Sequence, residues 1–369
     1  MKVQRQSLDR ISALPQDTIE NILSLMPIRD ALRTSILSKK WRYCWTRMPK
    51  LVFNDALVGV PSDIEEMNKY KLVNAIFHVL LLHRGPISEI RICVVDTEIS
   101  YAIDQMILHL SRRKNIKKLF LGIYEYYTLP RSFFSWQGLE HLVLLYCDFE
   151  PPLMFNGFSM LKTLIFHEVY ITANMLRRFL TGCPLLEEFA LLGYKQATFS
   201  RANKCTFLEL FKCLPTIQVV NISRIYTKRF AAGGMSQKLP NSLVHLKILI
   251  LAVCFQKQDE LSSVLCVISS SPNLEKIELE VNLDLKDAYS GLKLDNLKEL
   301  EITSFRNYAP EMEFVKLIMA KSPVLEKARL EIPSNVFVYE ELKMLRDFLH
   351  LPFPRASPAA KFIIERPKY

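Results

Sequence analysis

A six-residue pattern, apolar-x-x-apolar-x-apolar, recurs ten times between residues 87 and 330. Its instances are Ile87/Ile90/Ile92, Ile116/Leu119/Leu121, Leu139/Leu142/Leu144, Leu161/Leu164/Phe166, Leu186/Phe189/Leu191, Ile217/Val220/Ile222, Leu246/Leu249/Leu251, Leu274/Ile277/Leu279, Leu297/Leu300/Ile302 and Leu325/Ala328/Leu330. Successive starts lie 22 to 31 residues apart. Ala328 is the weakest match. Self-similarity at such a period belongs to solenoids, because one unit cannot bury its apolar face alone and needs its neighbours to do so. The alternation within each instance predicts a short strand whose framework residues point inward and whose intervening residues point outward.

Several of the intervals hold a helix-like stretch that runs into a proline. Asn174–Thr181 leads to Pro184, Phe207–Lys212 to Pro215, Glu260–Ile268 to Pro272 and Glu313–Ala320 to Pro323. Proline stops each helix and prepares the next strand. Three instances continue to a Cys or Asn, at Cys147, Cys254 and Asn282, read as structural positions in the following turn. This pattern resembles the leucine-rich repeat. The resemblance implies an α/β fold: a curved solenoid with parallel strands on its concave face and helices outside. The outward position of each strand reads, in order, Arg91, Phe120, Val143, Ile165, Ala190, Asn221, Ile250, Glu278, Glu301 and Arg329. The middle repeats are apolar there and the late ones charged, and Leu145, Leu192 and Ala252 extend the apolar zone. Phe120, Val143, Ile165 and Ile250 are therefore candidate target-binding residues on the concave face. A blander alternative stays open, in which loops or neighbouring strands cover these side chains.

The first fifty residues are different. Residues 14–48 read as three short helices. Leu14-Pro15 opens the first, which carries Ile19, Ile22, Leu23 and Met26 at helical spacing and stops at Pro27. Asp30 is placed to cap the second, with Ala31, Leu32, Ile36 and Leu37. Ser38 starts the third, with Trp41, Cys44, Trp45 and Met48 on one side. Some forty residues cannot dry that much apolar surface alone, so the segment needs the rest of the chain or another protein. Residues 1–50 hold ten Lys/Arg against four Asp/Glu, a large part of the formal net charge of +10. Such a segment favours an acidic partner.

Asp9-Arg10-Ile11-Ser12-x-Leu14-Pro15, Ile22-Leu23-Ser24-x-Met26-Pro27 and Arg33-Thr34-Ser35-x-Leu37-Ser38-Lys39-Lys40-Trp41-Arg42, in that order and spacing, resemble the F-box. Met26 stands where that family often has leucine, a near-isosteric exchange. The resemblance implies docking on a Skp-type adaptor, generally acidic, and through it a link to a cullin-RING ligase. It places Leu14, Pro15, Ile19, Ile22, Leu23, Leu37, Ser38 and Trp41 at or beneath that interface. At the other end, Leu297–Ile302, Glu313–Ala320, Ser322–Lys327 and Phe353-Pro354-Arg355-Ala356-Ser357-Pro358 resemble the FBD segment of plant F-box/leucine-rich-repeat proteins. With a helix over Tyr339–Leu349 and a final apolar strand at Phe362–Ile364, this end is expected to close the solenoid as an FBD-type cap. The expected organisation is an F-box at 8–50, a helical linker and solenoid N-terminal cap at 51–86, leucine-rich repeats at 87–291 and an FBD region with the last repeats at 292–366. Arg201-x-x-Lys204, in the wide interval before Ile217, marks an irregular repeat.

Nothing in the sequence points to catalysis, a metal site or a cofactor. It has no G-x-S-x-G, H-E-x-x-H, P-loop or G-x-G-x-x-G. Gly233-Gly234, after Lys228-Arg229, lacks the lysine and hydroxyl of a phosphate loop and reads as a loop. The eight cysteines have no C-x-x-C spacing and most lie in apolar runs, so they read as reduced thiols of a cytoplasmic or nuclear protein. The apolar stretches around Ile76–Leu82 and Leu246–Phe255 are too short to span a membrane, and the first residues lack the apolar core of a secretion signal. The expected function is that of a non-catalytic substrate-recognition subunit of a Skp-cullin-F-box ubiquitin ligase, whose repeats bind an unknown target protein. One alternative is a basic repeat protein that binds nucleic acid, which the clustering of positive charge in the first fifty residues argues against. A non-ligase scaffold and a small-ligand sensor are the others.

Overall fold

A computed structural model describes residues 13–53, 65–94, 100–113, 115–193, 205–232, 239, 242–254, 257–282, 294–336, 341, 342, 344, 346 and 356–367. The chain divides into two compact units, residues 1–161 and 162–369.

The first unit opens with helices α1 (Gln16–Ser24) and α2 (Ile28–Arg33), a 3-10 turn at Thr34–Ile36 and a longer 3-10 helix at Trp41–Arg47. Strand β1 (Lys50–Phe53), α3 (Glu65–Leu82), β2 (Glu89–Val94), α4 (Ser100–Ser111), β3 (Lys118–Thr128), a 3-10 turn at Arg131–Ser135 and β4 (His141–Asp148) follow. The four strands pair in sequence order, all parallel. The second unit contains β5 (Thr163–His167), α5 (Ala173–Thr181), β6 (Glu188–Leu192), α6 (Phe207–Lys212), β7 (Val219–Ile222), α7 (Arg224–Phe230), β8 (Ile248–Cys254), α8 (Gln258–Ser269), β9 (Lys276–Asn282), β10 (Glu299–Thr303), α9 (Ala309–Lys321), β11 (Lys327–Glu331) and β12 (Lys361–Glu365). Its strands also pair in sequence order and in parallel. Both units thus show the parallel α/β repeat arrangement that the period predicts.

Burial follows the six-residue pattern without exception. Every framework residue of all ten instances is at most 2% exposed. Ala328 is fully buried as well, so the smallest framework side chain still faces the core. At ~1.5–3 kcal/mol for each large side chain taken out of water, this one pattern supplies a large share of the driving force of the fold. The register holds Leu249 beside Ile277 and Ile277 beside Leu300. Each framework row therefore packs against its own counterpart in the next repeat.

A second ladder runs just ahead of the strands. The amide of Glu187 donates to Lys162 O at 2.8 Å, Gln218 to Glu187 at 2.7 Å, Lys247 to Gln218 at 2.9 Å, Glu275 to Lys247 at 2.8 Å, Lys298 to Glu275 at 2.8 Å and Glu326 to Lys298 at 2.8 Å. Charges alternate along much of this row, and Glu275 lies 3.8 Å from Lys247 and 3.2 Å from Lys298. Exposed pairs of this kind add about 0–1 kcal/mol each. Their clearer effect is on register, since a one-repeat slip would set like charges side by side.

The helix-like stretches appear as α5, α6, α8 and α9, each within a few residues of the predicted bounds. Caps fix two of them. Thr172 Oγ1 accepts from Met175 N at 3.3 Å. Thr206 and Glu209 form a reciprocal capping box on α6. The final strand is present as β12, and Ile332, Val336 and Met344 form a small buried cluster against which Ile364 packs. Glu341, Leu342, Met344 and Arg346 are helical. The rest of the expected helix, and Phe353 to Arg355, lie outside the described residues, as do Arg201, Lys204, Gly233, Gly234 and residues 9–12.

Four features differ from expectation. β1 adds a strand ahead of the ten. Lys228 and Arg229 lie in helix α7 rather than in a loop. The third N-terminal helix is a 3-10 helix, and Asp30 does not cap α2. Pro27 holds the cap position with no side-chain bond, while Asp30 sits in the first turn, 3.5 Å from Arg33. There its carboxylate still faces the positive end of the helix. All eight cysteines are free thiols. Burial pushes the Cys147 thiol up to about 12, and its Sγ donates to Leu145 O at 3.2 Å, which matches its structural reading. The side chain of Asn282 lies outside the described residues. Among the described residues no helix is long and apolar enough to cross a membrane.

Candidate functional site

The N-terminal helices bury some of their apolar residues and expose others. Ile19 and Leu23 of α1, Ile28 and Ala31 of α2, and Trp41, Cys44, Trp45 and Met48 around the 3-10 helix are buried and form a small core. Other large apolar side chains of the same segment face solvent. Leu25 and Ile36 are each 88% exposed, Leu37 57%, Ile22 39% and Tyr43 62%. Leaving one such side chain in water forgoes ~1.5–3 kcal/mol. Five of them within 22 residues are more than the scattered single exposures any surface carries.

Of the residues expected at or beneath an adaptor interface, Pro15, Ile22 and Leu37 are exposed, Leu14 and Ser38 are half-buried, and Ile19, Leu23 and Trp41 are buried. The Nζ of Lys40 donates to the carbonyl of Leu14 and ties the start of α1 to the third helix. The sequence names Ile36 only as an apolar residue of the second helix, and it does not mark Leu25 or Tyr43. A signal existed: Leu25 falls off the Ile19/Ile22/Leu23/Met26 stripe, of which Ile19 and Leu23 are the buried members. Three buried polar atoms of this segment, Ser35 Oγ, Ser38 Oγ and Trp41 Nε1, have no hydrogen-bond partner among the described residues. Each such orphan costs about 1–3 kcal/mol.

The segment is clamped to the first repeats. Thr46 O accepts from the amides of Arg84 at 2.8 Å and Gly85 at 3.1 Å, and Pro49 O from those of Ser88 at 2.8 Å and Glu89 at 3.0 Å. Buried His83 bonds Met48 O through Nε2 at 2.8 Å. Burial, assisted by the nearby Arg113 guanidinium, holds that imidazole below its ordinary pKa despite the bond to Met48 O. Gly85 packs so closely that a Cβ would stand 2.8 Å from the Cα of Arg47.

On the strands, the outward residues form rows opposite the core. In the first unit Arg91, Phe120 and Val143 are register neighbours. The Arg91 guanidinium lies 5.7 Å from the centroid of the Phe120 ring. In the second unit one row runs Ile165, Ala190, Asn221, Ile250, Glu278, Glu301, Arg329 and Ile363. Phe120, Val143, Ile165 and Ile250 are all half-buried, unlike the framework residues beside them. Leu145 and Leu192 are half-buried too, whereas Ala190 and Ala252 are buried. The change from apolar to charged along the row falls between β8 and β9.

Two family descriptions match the chain: an F-box domain over residues 11–53 and an At1g61320/AtMIF1 LRR domain over residues 82–347. Among curated relatives, the F-box/FBD/LRR-repeat protein At1g13570 of Arabidopsis thaliana is 32% identical over 97% of this chain and 99% of its own length. A putative FBD-associated F-box protein of the same plant, At5g56440, is 33% identical over 50% of this chain and 43% of its own. A putative F-box/LRR-repeat protein, At3g18150, is 26% identical over 94% of this chain and 74% of its own.

Proposed function

This chain belongs to the plant F-box/FBD/LRR-repeat family, and from that premise we propose that it is a substrate-recognition subunit of a Skp-cullin-F-box ubiquitin ligase. F-box/LRR proteins are generally receptors of that kind. The N-terminal helices dock a Skp-type adaptor, the outward rows of the strands hold a target protein, and the conjugating chemistry lies elsewhere in the assembly. The supporting observation is the exposed apolar set Ile22, Leu25, Ile36 and Leu37 on a segment whose other apolar residues include a buried core of Ile19, Leu23, Ile28, Trp41 and Trp45. An interface that covers these side chains recovers the burial energy the isolated chain forgoes. The basic character of the segment complements an acidic adaptor and speeds encounter. The clamp at Thr46, Met48 and Pro49 couples adaptor docking to the first repeats. The Ile332/Val336/Met344 cluster with β12 closes the end of the repeat array, and a cytoplasmic or nuclear site of action goes with the cysteine usage of the sequence.

Affinity purification of the full chain from plant cells, wild type beside a Leu14→Ala/Pro15→Ala variant, tests this reading. The wild type should bring down adaptor and cullin. The variant should lose both and keep its other bound proteins. Equal recovery of the adaptor by both would overturn the docking assignment.

A further inference from the structure

We propose that the outward face of β8–β10 receives a target segment in which an aliphatic side chain is followed, two to four residues on, by lysine or arginine. This rests on the receptor reading above and specifies the chemistry of what such a receptor holds.

The apolar half is built from Val219, Ile248 and Ile250, all half-buried on the outward side of β7 and β8. Ile250 is the register neighbour of Glu278, and Ala252 that of Glu280. Glu278 in turn faces Glu301, and Glu280 faces Thr303. The apolar strip thus runs directly into carboxylates on the adjoining strand, about 4.8 Å away.

Among the described residues, those carboxylates outnumber the cations they pair with. The ion pairs of Glu278, Glu301 and Glu331 run to two cations. Lys276 lies 3.1 Å from Glu278 and 3.3 Å from Glu301. Arg329 lies 3.0 Å from Glu331 and 2.6 Å from Glu365, and also pairs with Glu301. Glu280 is exposed beside this network. Lys327 and Lys361 stand one row earlier, where Lys327 already faces Glu299. The face is therefore locally acidic on a chain whose formal net charge is +10. No further lysine or arginine occupies the rows of Glu278 and Glu280 on β9 or β10. A cation supplied from outside completes the network at the edge of an apolar strip, and the same excess charge steers a basic segment toward it.

The geometry sets the spacing. From Ile250 to Glu278 or Glu301 is one or two strand intervals, about 5 to 10 Å. An extended chain covers that in two or three residues at about 3.3 Å each, and a helix in about four.

The test selects a random displayed peptide library on the full chain. Enriched peptides should carry Lys or Arg two to four residues after an aliphatic residue. A synthetic copy should bind Glu280→Lys about tenfold more weakly and Glu278→Gln by a smaller factor. It should bind Glu313→Lys, altered on helix α9, as it binds wild type. Glu280 is exposed, so its reversal should leave the melting temperature in place, which separates lost binding from lost fold. No enrichment, enrichment of peptides without that charge pattern, or equal binding to Glu280→Lys would each overturn the proposal. Adaptor binding, measured on the same samples, reports separately on the receptor reading.

Discussion

The N-terminal helices and the repeat strands treat apolar side chains in opposite ways. In the strands, every framework side chain is dry, and what reaches solvent is the intervening row, graded from Ile165 and Ile250 to Glu301 and Arg329. In the helices, the core is complete with Ile19, Leu23, Trp41 and Trp45, yet Leu25 and Ile36 stand almost wholly in water. A repeat array meets its packing needs from within, because each unit offers its neighbour the surface it lacks. A short helical segment has too little interior to do so. The residues it leaves exposed are therefore informative about a partner in a way that the buried framework is not.

Four substitutions sharpen or break that contrast. Leu249→Ala removes a fully buried framework side chain and should cost about 2–5 kcal/mol, read as the denaturation midpoint. A loss near zero would mean that the framework does not carry the fold. Glu311→Gln probes a buried acid in the second unit. Burial pushes its carboxyl up to about 7 from an ordinary 4.5, although its side chain accepts from Arg306 N at 2.8 Å and Tyr308 N at 3.2 Å. Between those two pH values the unfolded chain loses this proton while the folded chain keeps it. Stability therefore falls as pH rises through that window, by something on the order of 3 kcal/mol. The amide keeps the acceptor and has no proton to lose, so the stability of Glu311→Gln should be flatter with pH and higher than wild type at pH 8. An unchanged pH profile would show that Glu311 ionises normally.

Gly85→Ala tests the clamp. Its new Cβ meets the backbone of Arg47, which cannot rotate away, and should cost about 1–3 kcal/mol. Amide exchange at Arg84 and Gly85 should quicken in step. The smallest effect belongs to Leu25→Asp, which should change stability by less than about 0.5 kcal/mol in thermal unfolding. A larger loss would show that Leu25 packs within the chain and would erase the difference between the two regions.

The repeat framework was legible because a 22-to-31-residue recurrence is hard to produce by chance and because burial enforces it at every instance. The strand β1 was missed, although Met48, Leu51 and Phe53 fit the same pattern and are all buried. They follow directly on a helical run, and 39 residues separate them from the next instance, so periodicity breaks there. Helix α7 was missed because its basic Lys228-Arg229 precedes two glycines, a composition that reads locally as loop. Tyr226 and Phe230, both buried, are the residues that pin it down. At the N-terminal site, helical spacing marks Ile19 and Leu23, which are buried, but does not separate them from the exposed Ile22 on the same stripe. Periodicity reports which residues share a face and not whether that face meets the core of the same chain, so Ile36, placed with Ala31 and Leu32 by spacing, is nevertheless exposed. The outward row was readable residue by residue, but its excess of carboxylates over cations emerged only once the register placed Glu278, Glu301 and Arg329 side by side.

The central claim is that the N-terminal helices are completed by a Skp-type adaptor. Its most direct measurement is a binding titration of a purified adaptor against the full chain, wild type beside Leu25→Asp/Ile36→Asp, with melting curves on both. The predicted result is tight binding by the wild type and a loss of about thirtyfold or more in the variant, with the melting temperature unchanged. Equal affinity for the two proteins, or no binding by either, would contradict it.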